Sequence, residues 1–242
     1  MQKRLLINIG NTHTSFVACE SDQFVECIKT DTKAILDWTD IPLNLADYDS
    51  IWASSVVSQV RAHLSQICAQ VNWISVNLNS PLKFDHYDPQ TLGNDRFANA
   101  VAAAMSFESS VMVIDCGTAI TTEVINAEKQ FLGGVILPGL SMSYNALNQN
   151  TSLLPLLENE PQLSSVIAKN TENAIKAGVQ NAAIGALEKI IAETKSALND
   201  TLSIIITGGD KAFFSTQLGF PATEDFFTFK GIKKVAEQNE KT

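Results

Sequence analysis

Two glycine-centred segments of the chain combine the residue types that can hold a phosphate group. The first, Asn8–Thr14, reads Asn-Ile-Gly-Asn-Thr-His-Thr, and the second, Asp115–Thr121, reads Asp-Cys-Gly-Thr-Ala-Ile-Thr. A glycine lets the backbone approach a ligand oxygen closely, and Asn and Thr offer N–H and hydroxyl donors. An acidic residue ahead of such a glycine could organise a metal ion. Either segment alone is better explained as an ordinary hairpin turn.

The elements that position these segments repeat along the chain at a constant offset of 107 residues. Asn8 faces Asp115, and Gly10 faces Gly117. The register continues without a gap through Thr14 and Thr121, Val17 and Val124, and Gln23-Phe24 and Gln130-Phe131. A chance match would rarely keep one register across three strands and two turns, so the sequence predicts a duplicated β-meander. The repetition favours phosphate binding over two unrelated turns.

Apolar periodicity predicts the remaining elements. Strands are expected at Arg4–Ile9, Thr14–Cys19, Phe24–Ile28, Ser50–Val57, Asn72–Val76, Ser110–Asp115, Thr121–Ile125, Gln130–Leu137 and Leu202–Ile206, and helices at Ser58–Val71, Gly93–Phe107 and about Thr171–Leu198. Gly178 and Gly185 in the last helix indicate close packing against a partner helix, either in the core or between subunits. The polar tail Glu237–Thr242 is expected to be frayed.

The composition indicates a folded, acidic protein. The chain has 242 residues, of which 45% are hydrophobic and 18% charged, and its formal net charge is −9. This charge disfavours binding to nucleic acid. No basic-then-apolar signal peptide opens the chain, and no apolar run approaches the roughly 20 residues of a membrane helix. We expect a cytoplasmic protein with no nucleic-acid or membrane partner, whose four cysteines are reduced and mostly buried.

Two common nucleotide-binding motifs do not occur in the sequence. There is no G-x-x-x-x-G-K-[ST] segment, which excludes a P-loop kinase. No G-x-G-x-x-G follows a predicted strand, so a dinucleotide-binding domain also lacks support.

Seven short motifs, in order along the chain, resemble those of type III pantothenate kinases. The family's opening D-x-G-N-T corresponds to Asn8–Thr12, its G-x-D-R to Gly93–Arg96 and its D-x-G-T-A to Asp115–Ala119. The other four are the G-G-x-I-x-P-G segment at Gly133–Gly139, the stretch Ala146–Pro155, the helix start Asn170–Gly178 and the late turn Thr207–Asp210. Each motif is weak alone, and the shared order is what makes the resemblance specific.

The resemblance implies a fold and a reaction. The fold is that of acetate kinase, sugar kinases, heat-shock chaperone ATPases and actin. It is an α/β, duplicated ribonuclease H-like (actin-like ATPase) fold with two similar domains, each holding a mixed five-stranded sheet. We place these domains at residues 1–108 and 109–242. The implied reaction converts ATP and pantothenate into ADP and 4′-phosphopantothenate, the first step of coenzyme A biosynthesis. The family also implies Mg²⁺ on the phosphates, a monovalent cation (K⁺ or NH₄⁺) and a homodimer with the pantothenate pocket at its interface.

The matched motifs also imply residue roles. Asp95 would be the general base, and Asp115 would place the monovalent cation. The residues implied for pantothenate are Tyr87, Gly93, Asn94, Arg96 and Thr171, and those implied for ATP are Asn8, Gly10, Asn11, Thr12, Thr14, Gly117, Thr118, Gly208 and Gly209.

Four of these residues have ordinary structural interpretations as well. Asp95 lies in the first turn of a predicted helix, where a carboxylate stabilises the helix dipole. Arg96 could form a surface ion pair, and Tyr87 could be a half-buried core residue. Thr171 could equally cap the helix that begins there.

Two positions depart from the family pattern. Asn8 stands where the family has an aspartate, so the first segment keeps an oxygen ligand but loses a negative charge. Glu123 stands where the family often has Asp, which keeps the charge on a longer side chain. Asn8 supports a second hypothesis, a catalytically weakened paralogue that binds ligands or regulates. A chaperone or filament ATPase is disfavoured because the chain is too short for their inserted domains and because the Tyr87–Arg96 segment would be unexplained.

Overall fold

Residues 2–158, 160–198 and 200–240 are described by the computed structural model of the chain, which divides into two units. The first unit comprises Met1–Ser106, Glu128–Phe131 and Asp225–Thr242, and the second comprises Phe107–Ala127 and Leu132–Glu224. The division between Ser106 and Phe107 lies close to the expected boundary at residue 108. The C-terminal segment from Asp225 differs from the expectation, because it returns to the first unit as a helix.

The elements follow one another in this order: β1 Lys3–Ile9, β2 His13–Glu20, β3 Gln23–Asp31, β4 Ser50–Ser55, α1 Ser58–Ile67, β5 Val71–Trp73, α2 Asn94–Ser106, β6 Ser110–Cys116, β7 Ala119–Ile125, β8 Phe131–Gly133, β9 Ile136–Pro138, α3 Leu140–Gln149, α4 Thr171–Ala197, β10 Leu202–Thr207, α5 Lys211–Leu218 and α6 Phe227–Asn239. Short 3₁₀ helices lie at Thr32–Asp37, Leu45–Asp47 and Pro89–Thr91.

The sheet of the first unit has the strand order β3-β2-β1-β4-β5. β1, β2 and β3 pair antiparallel, whereas β4 and β5 continue the sheet in parallel with β1. Side chains alternate between the two faces of a strand. One face of β1 therefore carries Leu5, Ile7 and Ile9, which are fully buried in a core that includes Leu64 of α1. The opposite face carries Arg4, Leu6 and Asn8, on the side where α6 packs.

The sheet of the second unit repeats this path. Its order is β10-β6-β7-β8, with β9 also pairing with β7, and β6 pairs antiparallel with β7 and parallel with β10. β6 and β1 have the same length and are offset by 107 residues, as the sequence repeat predicts. Beyond β10, Ile206 forms a parallel bridge with Ala222, at the place that β5 occupies in the first sheet. The predicted duplication and the mixed α/β sheets are confirmed.

Several predicted elements are wrong in their extent, and two of them differ most clearly. The stretch Gln130–Leu137, predicted as one strand, is broken into β8 and β9. Gly133 has a φ of 121°, and a side chain at Gly134 would overlap the main chain of Thr122. These two glycines bend the chain so that β9 also reaches β7. The helix predicted at Ser58–Val71 ends at Ile67, and Val71 already belongs to β5.

The C-terminal tail is also different from its prediction. Instead of fraying from Glu237, the chain continues in α6 to Asn239, and Glu240 accepts hydrogen bonds from Arg4, Ser50 and Trp52. Lys241 and Thr242 lie outside the described residues. The prediction failed because the polar side chains of this segment lie against polar partners of the first sheet.

Candidate functional site

The first glycine-centred segment forms the turn between β1 and β2. Gly10 N donates to His13 O at 3.0 Å, which closes the turn, and the intervening Asn11 and Thr12 are exposed. A β-carbon at Gly10 would lie 3.1 Å from His13 O, so the position favours glycine. The turn thus presents exposed backbone and polar side chains at the end of a buried strand, as a phosphate-binding loop requires.

Thr14, predicted to contact ATP, has a different environment from its neighbours in this loop. It is fully buried, and its hydroxyl lies 3.0 Å from that of Thr32. Thr32 Oγ1 in turn donates to Gly10 O at 2.7 Å. The side chain of Thr14 therefore faces the interior, where it is linked through Thr32 to the carbonyl of Gly10.

Asn8 lies near the end of β1, just before the loop and beside Ser54 of β4. The two residues are partners in the parallel pairing of β1 and β4, so their side chains share one face of the sheet. Asn8 Oδ1 and Ser54 Oγ are both buried, and neither has a hydrogen-bond partner among the described residues. Buried polar atoms in native proteins are normally paired with protein, water or ligand. These two atoms therefore mark a place that accepts a polar ligand or a bound water.

Asp95 lies in the first turn of α2, where the sequence predicts it. Its Oδ1 accepts a hydrogen bond from Arg96 N at 2.7 Å, and it lies 2.8 Å from where a β-carbon of Gly93 would be. Burial raises the pKa of the Asp95 carboxyl, against the lowering effect of the Arg96 backbone N–H and charge. A carboxylate with a raised pKa accepts a proton more readily, which suits a general base.

The residues around Asp95 hold the start of α2 in place. Asn94 Nδ2 donates to Ser55 O at 3.3 Å, which ties the helix to the end of β4. Arg96 is buried rather than on the surface, which argues against the surface ion pair considered above. Tyr87 is half-buried, and its ring meets Phe131 edge-on with centroids 4.8 Å apart. That contact orients the tyrosine and is compatible with either of its interpretations.

The second glycine-centred segment forms the turn between β6 and β7. Gly117 N donates to Ala119 O at 3.1 Å, and Thr118 is exposed at the tip. Asp115 is half-buried at the end of β6, where it faces Thr121 of β7 and Thr207 of β10. The turn is thus the counterpart of the first loop, with a carboxylate at the position of Asn8.

Two further backbone segments pack against this second loop. Gly139 N donates to Thr118 O, and Asp210 N donates to Cys116 O. At Gly208, φ is +95° and a β-carbon would lie 2.4 Å from Cys116 O and 2.5 Å from Asp115 Oδ1. Only glycine fits there, because both the backbone angle and the space exclude a side chain. Gly209 is exposed, with open space beside it.

Thr171 is the first residue of α4, and it is exposed. The helix is capped instead by Asn170, whose side chain accepts from Asn173 N at 2.8 Å. The interpretation of Thr171 as the N-cap is therefore wrong, because the preceding asparagine has a better-placed acceptor. The hydroxyl of Thr171 is left on the surface of the second unit.

A divalent ion carried by phosphates fits the groups present. Within residues 2–158, 160–198 and 200–240, no three His, Cys, Asp or Glu side chains cluster as metal ligands. Mg²⁺ is commonly held by one or two protein oxygens together with substrate phosphates and water. In the second unit Asp115 offers a carboxylate of this kind. In the first unit Asn8 offers a buried amide oxygen without a partner among the described residues. Asn8 supplies no charge, so the first loop is the weaker of the two.

Three residues that pack against these loops or beside them could not be identified from the sequence. Thr32 follows β3 as an ordinary threonine, and no motif marks it. Ser54 lies in an apolar strand, where its alignment with Asn8 becomes visible only in the strand pairing. Gly139 belongs to a quoted motif, yet its close approach to Thr118 needs the folded chain.

Comparison with known proteins decides the family. A family model described as type III pantothenate kinase matches residues 4–193. The chain belongs to the type III pantothenate kinase family. A type III pantothenate kinase of Sulfurihydrogenibium sp. (strain YO3AOP1) is 32% identical, with 94% of this chain and 97% of that protein covered. One of Bacteroides fragilis (strain ATCC 25285) is 33% identical, with 97% and 98% covered.

Solved structures agree on the fold. A Baf family protein from Campylobacter jejuni matches with a TM-score of 0.66 and 23% identity over 98% of this chain and all of that one. A ParM protein matches with a TM-score of 0.51 and 11% identity, covering 99% and 98% of the two chains. The chain therefore has the actin-like ATPase fold expected from its repeat and from its resemblance to the family. Family membership makes it a kinase, an enzyme that uses ATP with a divalent metal ion. Among the described residues, no helix is long and apolar enough to cross a membrane.

Proposed function

We propose that this kinase transfers the γ-phosphoryl group of ATP to pantothenate and so produces 4′-phosphopantothenate, the first step of coenzyme A biosynthesis. The observation that carries the proposal is Asp95, which keeps the family's G-x-D-R context at the start of α2 and has a raised pKa. A substrate hydroxyl beside this carboxylate would lose its proton to Asp95 as its oxygen bonds to the γ-phosphorus. The bond from that phosphorus to the β-γ bridging oxygen breaks, and ADP leaves with the electron pair.

The other residues divide between the two substrates. Arg96 would pair with the pantothenate carboxylate through its planar guanidinium, with Gly93, Asn94, Tyr87 and Thr171 as further substrate contacts. The ATP contacts of the first unit are Asn8, Gly10, Asn11, Thr12 and Thr14, of which Thr14 acts through the loop backbone because its side chain is buried. Those of the second unit are Gly117, Thr118, Gly208 and Gly209. Bound Mg²⁺ would neutralise charge on the phosphates, and Asp115 would place a monovalent cation, K⁺ or NH₄⁺.

We also propose that the enzyme is a cytoplasmic homodimer, joined through the second unit. An apolar groove of about 630 Å³ lies between α3 and α4 and is lined by residues such as Met142, Leu147 and Gly178. Met142 is 42% exposed, and a β-carbon added at Gly178 would have no neighbouring atom within 4 Å. The predicted close packing of Gly178 and Gly185 is therefore absent within the described part of the chain, and a second copy is the remaining candidate. Thr171 begins the same helix, which would bring it to the interface.

A second function is favoured by the first loop. Asn8 leaves the loop without the family's carboxylate, and its Oδ1 is buried without a partner among the described residues. A weakened paralogue would bind pantothenate and ATP but turn over slowly, and would act as a ligand-binding or regulatory protein. The retained Asp95, Arg96 and Asp115 support the active kinase instead.

A coupled ADP-release assay with pantothenate separates these functions. We expect turnover by the wild type with K⁺, less without it, and loss of about a hundredfold or more in Asp95→Asn, since a general base contributes that much. Asn8→Asp should raise turnover by strengthening metal–ATP binding. A silent wild type with an active Asn8→Asp variant would establish the weakened paralogue. Wild-type turnover in Asp95→Asn would contradict the assignment of the base.

A further inference from the structure

Thr32 is bound to three different residues of the first phosphate loop, although it lies outside the loop in sequence. Its Oγ1 donates to Gly10 O at 2.7 Å and lies 3.0 Å from Thr14 Oγ1. Its backbone N donates to Thr12 O at 2.9 Å. Thr32 is only 1% exposed, at the start of the 3₁₀ helix that follows β3. Thr32, directly after β3, therefore holds the loop through hydrogen bonds to Gly10, Thr12 and Thr14.

The protons of this cluster can be assigned. A threonine hydroxyl has one proton to donate, and that of Thr32 goes to the carbonyl of Gly10. The contact between the two hydroxyls must then be donated by Thr14 and accepted by Thr32. The resulting chain runs from Thr14 through Thr32 to Gly10, with each donor used once. Because the side chains of Thr14 and Thr32 are both buried, a hydroxyl left without its partner there would be costly.

The orientation of one peptide group follows from this chain. The C=O and N–H groups of a trans peptide point in opposite directions. The carbonyl of Gly10 points at Thr32, so the N–H of Asn11, which belongs to the same peptide, points away from Thr32. Asn11 and Thr12 are both exposed. An N–H group fixed in this way is a donor for a phosphate oxygen, and fixing it before binding reduces the entropy lost on binding.

We propose that Thr32 is a positioning residue for the phosphates of ATP: it sets the Gly10–Asn11 peptide so that the Asn11 N–H faces the nucleotide. This inference rests on the proposed function, because it assumes that the first loop binds phosphate. Thr32 itself touches no substrate, and its hydroxyl acts through the loop. Serine can replace its hydroxyl, whereas valine keeps the shape and removes it.

The test compares Thr32→Val, Thr32→Ser and wild type for binding of Mg·AMP-PNP, adenosine and pantothenate by titration calorimetry. Loss of one buried hydrogen bond should weaken Mg·AMP-PNP binding by roughly tenfold in Thr32→Val. Adenosine and pantothenate affinities should stay at the wild-type value, because neither ligand has a phosphate. Thr32→Ser should recover most of the lost affinity. If Thr32 had a purely structural role, Thr32→Val would lower the affinities for all three ligands together.

A matched control removes a hydroxyl elsewhere in the first unit. Thr228 of α6 donates to Asn99 Oδ1 at 2.8 Å, and Thr228→Val should lower the melting temperature without changing Mg·AMP-PNP affinity. The inference is overturned if Thr32→Val binds Mg·AMP-PNP as tightly as the wild type does. It is also overturned if Thr32→Val loses as much affinity for adenosine as for Mg·AMP-PNP. A wild type that binds Mg·AMP-PNP but does not phosphorylate pantothenate would contradict the proposed function and leave the inference about Thr32 intact. A wild type that binds no nucleotide overturns both.

Discussion

Asp95 combines a functional position with an unfavourable environment for its charge. Burial raises the pKa of its carboxyl, so the folded protein binds a proton there more tightly than the unfolded chain does. Such a group stabilises the fold below its unfolded pKa, and the contribution is lost as the pH rises through the folded pKa. At pH values above the folded pKa, the ionised Asp95 therefore costs stability, as expected for the proposed general base.

Removing this charge should stabilise the protein while it abolishes turnover. We predict that Asp95→Asn melts higher than the wild type at pH 7, by roughly 2–4 °C, the shift that about 1 kcal/mol produces at this chain length. Asparagine keeps an oxygen that can accept from Arg96 N, so the helix start is preserved. The same comparison at acid pH serves as the control, because protonation of Asp95 removes the charge difference between the two proteins and the difference in melting temperature should shrink. Calorimetric melting that is lower for the variant at both pH values would contradict this account.

The sequence predicted the positions in the fold of the candidate site residues that carry a chemical signature. Gly10, Asp95 and Asp115 stand out by type and spacing, and each lies at the end of the strand or start of the helix where it was expected. Thr32 and Ser54 carry no such signature. Their importance comes from tertiary hydrogen bonding and strand register, which the amino-acid sequence alone does not reveal.

The elements differ in how far local pattern determines them. β1 and β6 were predicted almost to the residue, since a short apolar run followed by a glycine turn has few alternatives. α6 was missed because its polar residues are satisfied by tertiary contacts. Glu240 lies just beyond the helix. Its carboxylate accepts hydrogen bonds from Arg4 Nε at 3.0 Å, Arg4 Nη2 at 2.6 Å and Trp52 Nε1 at 2.8 Å. These bonds fasten the end of the helix to the first sheet.

The attachment of α6 should be measurable through Glu240. Burial alone would raise the pKa of this carboxyl, but hydrogen bonds from Arg4, Ser50 and Trp52 outweigh it and hold the pKa below the ordinary value. A lowered folded pKa stabilises the fold above the unfolded pKa, and that stability is lost as the pH falls through the folded value. We predict that Glu240→Gln lowers the free energy of unfolding by about 1–3 kcal/mol at pH 7, the range for hydrogen bonds to charged groups.

Glu237 on the same helix provides the comparison for Glu240. It pairs with Lys233 at 2.6 Å in the i,i+4 arrangement, and its side chain is 27% exposed. Surface pairs of this kind contribute little, so Glu237→Gln should change the unfolding free energy by less than about 1 kcal/mol in denaturant titrations. If the two variants were equally destabilised, the network around Glu240 would not be the anchor of α6.

For the whole molecule, the decisive question is whether two copies associate through the α3–α4 groove. Gly178 and Gly185 are both exposed glycines of α4 with open space beside them, but only Gly178 lines the groove. We predict that the wild type sediments as a dimer at micromolar concentration and that Gly178→Glu is monomeric, because a charge would be buried in an apolar contact. Gly185→Glu makes the same chemical change outside the groove and should remain dimeric. A monomeric wild type, or dissociation by both variants, would argue against this interface.

The two glycine-centred loops are fastened by different sets of contacts, and this bears on how each can change during evolution. The second loop is held by main-chain atoms, since Gly139 N and Asp210 N bond to its carbonyls and Gly208 admits no side chain. Its shape is consequently insensitive to the identity of most neighbouring residues. The first loop is held by main-chain bonds from Gly10 N and Thr32 N and, in addition, by the buried hydroxyl of Thr32. If the first loop binds phosphate as proposed, a single substitution at Thr32 would retune nucleotide affinity in the first unit, and the family's departure at Asn8 lies in the same half of the repeat.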